Sequence, residues 1–264
     1  MHMIKISIRK NIGKKKYLLY AILSFVALIA IWTLVTELEL VDPIFLPKPM
    51  RVLEYYQAAI SDGSLWENTR ISLYRILLGF VYAVVLGIPV GILMGTFKKA
   101  EAIIRPLCEF IRYMPVPAFV PLIMVWVGIG ESAKITVIFI GTFFQLVLMV
   151  ADDAMSVPDD LLNAGYTLGT NTPTTIFKIL IPAMLPRLME TLRMMIGWAW
   201  TYLVSAELVA ANSGLGYTIL KSQRFLATDA IFGGILLIGL LGLITDRIFA
   251  FVNKKLFHWV EGGR

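Results

Sequence analysis

The sequence predicts an all-α integral membrane protein with six transmembrane helices and with both termini in the cytoplasm. Its 264 residues are 58% hydrophobic and 16% charged, and the mean hydropathy is +0.77. A soluble domain of this length carries about a quarter charged residues, so the composition itself indicates a membrane protein. The length of the charge-free stretches and the distribution of lysine and arginine predict the helix count and the orientation.

The charge-free stretches are long enough to cross a bilayer as helices. About 20 apolar residues span the hydrocarbon core. The first stretch follows a basic tail and ends without a small-residue cleavage site, so we interpret it as a retained helix and not as a signal peptide. Four stretches have about this length: 17–36, 76–97, 113–130 and 135–151. Two shorter stretches, 194–206 and 230–245, have apolar flanks that extend them.

Lysine and arginine are distributed unevenly between the two sides of the membrane. With a cytoplasmic N-terminus, the inner segments hold 17 of the 24 lysines and arginines, which agrees with the positive-inside rule. The net charge of +6 largely reflects this asymmetry and does not indicate nucleic-acid binding. We expect a basic cytoplasmic tail over 1–16, a transmembrane domain over 17–253 that includes a cytoplasmic coupling region at 152–187, and a cytoplasmic C-terminal tail over 254–264.

The first outer segment, 37–75, contains a predicted short helix. Pro49 suits the first turn of a helix, and apolar side chains recur behind it at helical spacing. We expect this helix to lie on the outer membrane surface. The apolar positions are Val52, Leu53, Tyr56, Ala59 and Ile60.

The second span carries three glycines on one face. Gly87, Gly91 and Gly95 are spaced four residues apart, which lets another helix approach closely. Pro89 is expected to bend the same helix.

The third span is interrupted by Pro115, Pro117 and Pro121. Each proline removes a backbone donor and frees a carbonyl group, which protein atoms or water in a cavity must satisfy inside the membrane. Interrupted helices in the middle of the membrane often hold the substrate site of a transporter. A kink that neighbouring helices satisfy is an equally open alternative.

Arg193 and Glu207 are the charged residues expected inside a span. They are 14 residues apart, roughly 21 Å along a helix, so they cannot pair directly. Either their side chains reach the two interfaces or they face a water-filled path. The candidate residues of a translocation path are Pro115, Pro117, Trp126, Gln145, Arg193 and Glu207.

The sequence lacks the residue patterns that would support an enzymatic function. It contains no G-x-x-x-x-G-K-[ST] phosphate loop, no H-E-x-x-H and no G-x-S-x-G. Both histidines, His2 and His258, lie in the predicted tails. Cys108 is the only cysteine, so the sequence indicates neither an internal disulfide nor a metal site.

Two short helices joined by a glycine turn are predicted in the coupling region. Ser156 is expected to cap the first helix, and Pro158 fits its first turn. Asp159 and Asp160 favour the positive end of that helix. Gly169 is expected to end it.

The second helix of the coupling region is expected to start directly after this turn. Thr172 is the predicted cap and Pro173 the predicted first residue, and the helix is expected to run as far as Pro182. A membrane protein that holds two rigid helices in the cytosol, and has no energy source of its own, has the form of a part that receives force from a partner.

The coupling region resembles the conserved cytoplasmic loop of ABC importer permeases, which reads E-A-A-x-x-x-G and, after nine further residues, I-x-L-P. Asn163 stands in place of the glutamate and Ile181 in place of the leucine. The resemblance implies that an ATPase contacts this region, and the implied residues are Asp159, Asp160, Asn163, Ala164, Gly165, Gly169, Thr172, Pro173, Ile179 and Pro182.

Four further stretches resemble one branch of these permeases, the one for taurine and alkanesulfonates with nitrate, bicarbonate and pyrimidine-type relatives. They are PIFLPKPMRVLEYY, GIPVGILMG, RYMPVPAFVPLIMVWVGIGESAK and SAELVAANSGLGYTILKSQRFLATD. The resemblance implies a type I importer in the bacterial cytoplasmic membrane. It also implies two permease copies, a separate ATPase pair that binds ATP and Mg, and a periplasmic or lipid-anchored binding protein that delivers a small anionic or zwitterionic solute.

Two other function classes remain open from the residues alone. A stand-alone secondary transporter or channel would account for the interrupted third span, although the two halves of the chain show no convincing match of the kind that inverted repeats produce. An intramembrane enzyme is opposed by the missing catalytic residues.

Overall fold

The computed structural model describes residues 12–208 and 211–258, and these residues form helices joined by short connections. Most of the predicted N-terminal tail and the end of the C-terminal tail lie outside the described residues. The helices are α1 (Lys14–Glu37), α2 (Pro49–Ser61), α3 (Ser64–Thr96), α4 (Lys98–Arg112), α5 (Val116–Val127), α6 (Glu131–Met155), α7 (Asp159–Thr167), α8 (Thr172–Thr175), a π-helical turn (Ile176–Leu180), α9 (Ile181–Leu208), α10 (Leu215–Arg224) and α11 (Thr228–Leu256).

The membrane-spanning helices confirm the predicted fold class and refine the predicted count. Within the described ranges, α1, α3, α6 and α11 are long and apolar enough to cross a bilayer. The pair α4 and α5 is bent by 103° and would make a fifth span as a broken helix. The predicted third span therefore consists of the 12-residue α5 and its junction with α4. The predicted fifth span lies in α9, which has 28 residues but carries charged side chains along its inner half.

The outer helix α2 begins at Pro49, as predicted. Its buried residues Val52 and Ala59 face the protein, and the hydroxyl of Tyr56 donates a hydrogen bond of 2.6 Å to the carbonyl oxygen of Gly233 in α11. The side chains of Leu53 and Ile60 are exposed. The helix is thus amphipathic and is fixed to the outer half of α11.

The centre of the bundle is the contact between α3 and α6, and the glycines predicted to permit close packing line it. A Cβ atom on Gly91 would lie 2.6 Å from Cβ of Val150, and one on Gly95 would lie 2.6 Å from the carbonyl oxygen of Ala151. Gly87 faces the same helix. Because Cβ atoms essentially never come this close, side chains at these positions would force the two helices apart.

Candidate functional site

The first helix of the coupling region ends in the predicted glycine turn. Gly169 has a φ angle of +84°. Its N–H group donates to the carbonyl oxygen of Tyr166 at 2.9 Å, and the N–H group of Thr170 donates to the carbonyl oxygen of Gly165 at 3.1 Å. These two bonds form a Schellman motif, which satisfies the free carbonyl groups at the end of α7 and fixes the direction of the turn.

The predicted helix caps are one or more residues out of place. Pro158 precedes α7 without a side-chain cap, and the Ser156 hydroxyl instead donates to the carbonyl oxygen of Asp153 at 2.6 Å, at the end of α6. In the second helix, Oδ1 of Asn171 accepts from the N–H group of Thr174 at 3.0 Å. The cap is therefore Asn171 and not Thr172, since asparagine is at least as good a cap as threonine.

The second helix of the coupling region does not end at Pro182. Instead α8 continues through the π-helical turn into α9, so that Pro182 and Pro186 lie inside a continuous helical path. In a regular α-helix the ring of Pro182 would clash with the carbonyl group of Lys178. The wider π-helical turn directly before Pro182 gives that ring room. The coupling region is consequently joined to a membrane helix without an intervening loop.

The two arms of the coupling region pack against each other. Gly165 on α7 faces the tip of Ile179 in the π-helical turn, so closely that any side chain at Gly165 would overlap it. The hydroxyl groups of Thr170 and Thr175 are 2.8 Å apart and hydrogen bonded. These contacts make the turn and its flanking helices one rigid unit.

Large apolar side chains of this rigid unit are exposed. Leu168, directly before Gly169, is 86% exposed, and Phe177 is 70% exposed. Exposed apolar side chains on a segment that is predicted to lie in the cytoplasm indicate a site of protein interaction. We call this surface the coupling surface; its residues are Leu161, Tyr166, Leu168 and Phe177. Asp159, Asp160, Asn163, Ala164, Thr172 and Pro173 are also exposed.

A buried carboxylate anchors the base of the coupling region to the membrane helices. Asp153, near the end of α6, accepts a hydrogen bond of 2.6 Å from the hydroxyl of Thr191 and forms an ion pair of 3.0 Å with Arg187, both on α9. Its neighbour Asp152 forms an ion pair of 2.9 Å with Arg105 on α4. Sequence reasoning missed these anchors, although two adjacent aspartates at the end of an apolar stretch are a visible signal.

The structure does not bring together all the residues predicted to line a translocation path. Pro115 and Pro117 lie at the break between α4 and α5, and a small recess beside that break is lined by Gln145 of α6. Trp126 lies near the other end of α5 and is exposed. For these four residues the path role stays a prediction.

The other two predicted path residues, Arg193 and Glu207, each have a different charged partner within the chain. The guanidinium group of Arg193 donates two hydrogen bonds, of 2.6 and 2.9 Å, to the carboxylate of Asp246 on α11. Glu207 is fully buried. This placement favours a structural role for Glu207.

The partner of Glu207 is Arg75, which is fully buried as well. Nη1 of Arg75 donates to Oε1 of Glu207 at 2.6 Å, while Nε and Nη2 donate to the two carboxylate oxygens of Glu131 at 2.6 and 2.7 Å. The hydroxyl of Ser72 and the N–H group of Gly216 also donate to Glu207. We call Ser72, Arg75, Glu131 and Glu207 the outer ionic cluster; it joins α3, α6 and α9 to the start of α10.

Arg75 was predicted to be the last residue of the outer segment, and the structure places it inside the helix α3. Its charge interrupts the apolar stretch of the second span, so a count of charge-free residues ends there. In the structure α3 starts at Ser64, and the charge is buried because two carboxylates and hydrogen bonds compensate it.

Comparisons with known proteins agree with this architecture. Residues 87–258 match the family described as binding-protein-dependent transport system inner membrane component. The taurine transport system permease protein TauC of Escherichia coli is 34% identical, over 88% of this chain and 86% of that protein. The putative aliphatic sulfonates transport permease protein SsuC of Bacillus subtilis is 32% identical, over 96% of this chain and 92% of that protein.

A solved structure has the same fold. The MetNI methionine ABC transporter in an inward-facing conformation is similar with a TM-score of 0.59 at 21% identity, over 71% of this chain and 97% of the compared chain. This similarity confirms the expected type I importer architecture. The chain therefore belongs to the family of binding-protein-dependent ABC transporter permeases, membrane transport subunits that are not themselves enzymes and whose family implies a separate ATPase and a substrate-binding protein.

Proposed function

We propose that two identical copies of this chain form the translocation path of an ATP-driven importer in the bacterial cytoplasmic (inner) membrane, and that a pair of cytoplasmic ATPases binds their coupling surfaces. The observation that carries the proposal is the rigid turn at Gly169 with Leu168 exposed at its tip. Water-exposed apolar side chains on a fixed scaffold suit a groove on a partner protein.

The connection of the coupling region to the bundle supports transmission of force to the membrane helices. The π-helical turn joins it directly to α9, and Asp153 ties its base to both α6 and α9. When ATP binding draws the two ATPases together, the two coupling regions move towards each other and the helices tilt from an inward-open to an outward-open arrangement. Hydrolysis of ATP then resets them.

The proposed cargo is a small anionic or zwitterionic solute, most simply taurine or another alkanesulfonate. Relatives named for taurine and for aliphatic sulfonates support this class. An ion in bare hydrocarbon is prohibitively unstable, so such a solute needs a protein path. A periplasmic or lipid-anchored binding protein delivers the solute, and nitrate, bicarbonate or a pyrimidine-type compound are alternative cargoes for the same role.

The substrate proposal is tested by ATP hydrolysis in a reconstituted complex. The permease, its ATPase and its binding protein are placed in liposomes and supplied with taurine, alkanesulfonates, nitrate, bicarbonate or pyrimidines. We expect the loaded binding protein to stimulate hydrolysis most strongly with a sulfonate. Stimulation by one of the other compounds and not by any sulfonate would contradict the sulfonate proposal.

The turn at Gly169 gives a prediction for coupling. Gly169 has a positive φ angle. A residue with a Cβ atom is strained in this conformation by about 1–2 kcal/mol, and a β-branched residue is strained more. We expect Gly169→Val to reduce ATP-driven uptake severalfold, by weaker ATPase binding or by hydrolysis without transport, while the permease still reaches the membrane.

The matched control for this change is Gly239→Val on α11, where an added Cβ atom meets nothing within 4 Å and the φ angle is an ordinary helical one. Uptake, ATPase binding and membrane yield are compared for the two variants. Normal coupled transport by Gly169→Val would refute the prediction.

A further inference from the structure

We propose that Arg112 binds the anionic group of the transported solute near the middle of the membrane. This inference rests on the proposed function, an importer of small anions or zwitterions, and assigns the cation that receives them. Arg112 is the last residue of α4 and stands directly at the break before α5.

The first step concerns the depth of this residue. Nη1 of Arg112 lies 3.4 Å from Oε1 of Gln145 on α6. Gln145 is 14 residues from Glu131 at the outer end of α6 and 10 residues from Met155 at its inner end. At 1.5 Å per residue these separations are about 21 and 15 Å, which places the amide within the hydrocarbon region. The guanidinium group that meets it therefore lies well inside the membrane surface.

The second step concerns the contacts of the guanidinium group. Two other arginines, one on α4 itself and one on α9, have carboxylate partners: Arg105 pairs with Asp152, and Arg193 pairs with Asp246. Among the residues that the structure describes, Arg112 contacts the amide oxygen of Gln145, the hydroxyl of Tyr113 at 3.0 Å and the ring of Tyr113 at 4.8 Å. None of these three groups carries a negative charge.

The third step concerns access. Arg112, Tyr113 and Pro115 are exposed in the single chain. A charge at this depth is stable where it faces a water-filled path or an anion, and is strongly destabilised where it faces lipid tails. The exposure of Arg112 therefore indicates a path along the broken α4 and α5 pair.

The fourth step concerns the surrounding polar groups. A small recess beside Arg112 is lined by Gln145 and Tyr202. The ring of Tyr202 packs on Gly141, where a Cβ atom would lie 2.6 Å from the ring. The fork of N–H groups of an arginine suits two oxygens of a sulfonate or carboxylate, and the amide of Gln145 can donate a further hydrogen bond. The ligand class is accordingly a small oxyanion.

The experiment measures ATP-driven uptake of taurine by the complete complex in liposomes. We expect Arg112→Gln to lower the initial rate by about tenfold or more, because a charge-assisted bond to the solute is lost. Arg112→Lys keeps the charge but not the fork, so an intermediate rate is expected. Assembly with the ATPase and basal ATP hydrolysis should match the wild type. The matched control, Lys99→Gln, removes one positive charge from an exposed position at the start of the same helix and should leave uptake unchanged.

A charge-rescue measurement separates solute binding from a structural effect. The thiol of Arg112→Cys is modified with aminoethyl or with sulfonatoethyl methanethiosulfonate, while the native Cys108 is buried. We expect the aminoethyl group to restore part of the taurine uptake and the sulfonatoethyl group to restore none. Equal effects of the two reagents would overturn the inference.

The outcomes distinguish this inference from the proposed function. Taurine uptake by Arg112→Gln at the wild-type rate overturns the assignment of Arg112 and leaves the importer proposal intact. A wild-type complex that imports only uncharged solutes, and no oxyanion, overturns both the proposed substrate class and the role of Arg112.

Discussion

Replacing Arg75 with methionine is expected to lower the free energy of unfolding by about 3–5 kcal/mol, enough to prevent recovery of most of the folded permease. The change removes the hydrogen bonds that Arg75 donates to Glu131 and Glu207, at 2.6 to 2.7 Å. Glu207 is fully buried, so its carboxylate would remain without a cation in a site that excludes water. The measurements are the yield of monodisperse protein in detergent and the midpoint temperature of unfolding.

Two control variants show whether the loss comes from the unpaired charge. Arg70→Met changes an exposed arginine on the same helix and should shift the unfolding temperature little. The double replacement of Arg75 and Glu207 by methionine removes both charges and should recover part of the lost stability. If Arg75→Met unfolds at the same temperature as Arg70→Met, the outer ionic cluster does not hold the bundle together.

Replacing Leu168 with aspartate is expected to weaken ATPase binding by at least about 100-fold, since burial of one leucine contributes about 1.5–3 kcal/mol and a buried unpaired carboxylate adds a further loss. Leu168 is 86% exposed in the single chain, so the change should leave the unfolding temperature of the isolated permease unaltered. The measurements are the dissociation constant of the ATPase and the amount that co-purifies with the permease.

The matched control for the coupling surface is Leu40→Asp, which adds the same charge at an exposed leucine in the connection between α1 and α2. This variant should bind the ATPase as the wild type does. Undiminished ATPase binding by Leu168→Asp would show that the docking surface lies elsewhere.

Local features of the coupling region could be predicted from the sequence because short-range chemistry determines them. A glycine after a short polar helix ends that helix in a left-handed turn, and Gly169 does so. The cap of the next helix was misplaced by one residue, because Asn171 and Thr172 are both good caps and side-chain hydrogen bonding decides between them. The continuation through Pro182 depends on a π-helical turn, which leaves no clear signal in residue order.

The buried charges could not be placed from the sequence because their partners are distant along the chain. Arg75 and Glu207 are 132 residues apart. Arg193 and Asp246 lie on different helices as well, and only the packing of α9 on α11 brings them together. A sequence shows the charges that interrupt apolar stretches, but the fold decides which carboxylate neutralises each one.

The spacing of the glycines in the second span predicted a close helix contact, and Gly91 and Gly95 make that contact with α6. It did not identify the bend of 103° between α4 and α5, although Pro115 and Pro117 pointed to an interruption in that part of the chain. Proline indicates where a helix is interrupted, whereas the angle depends on the helices packed around it.

Solute uptake into liposomes, measured with and without the partner ATPase, tests the central claim most directly. If the coupling surface receives its force from an ATPase, liposomes that contain the permease, its ATPase and its binding protein accumulate the solute when ATP is supplied. Liposomes that contain the purified permease alone then accumulate none, even under an imposed ion gradient. Accumulation by the permease alone, driven by that gradient, would contradict the account.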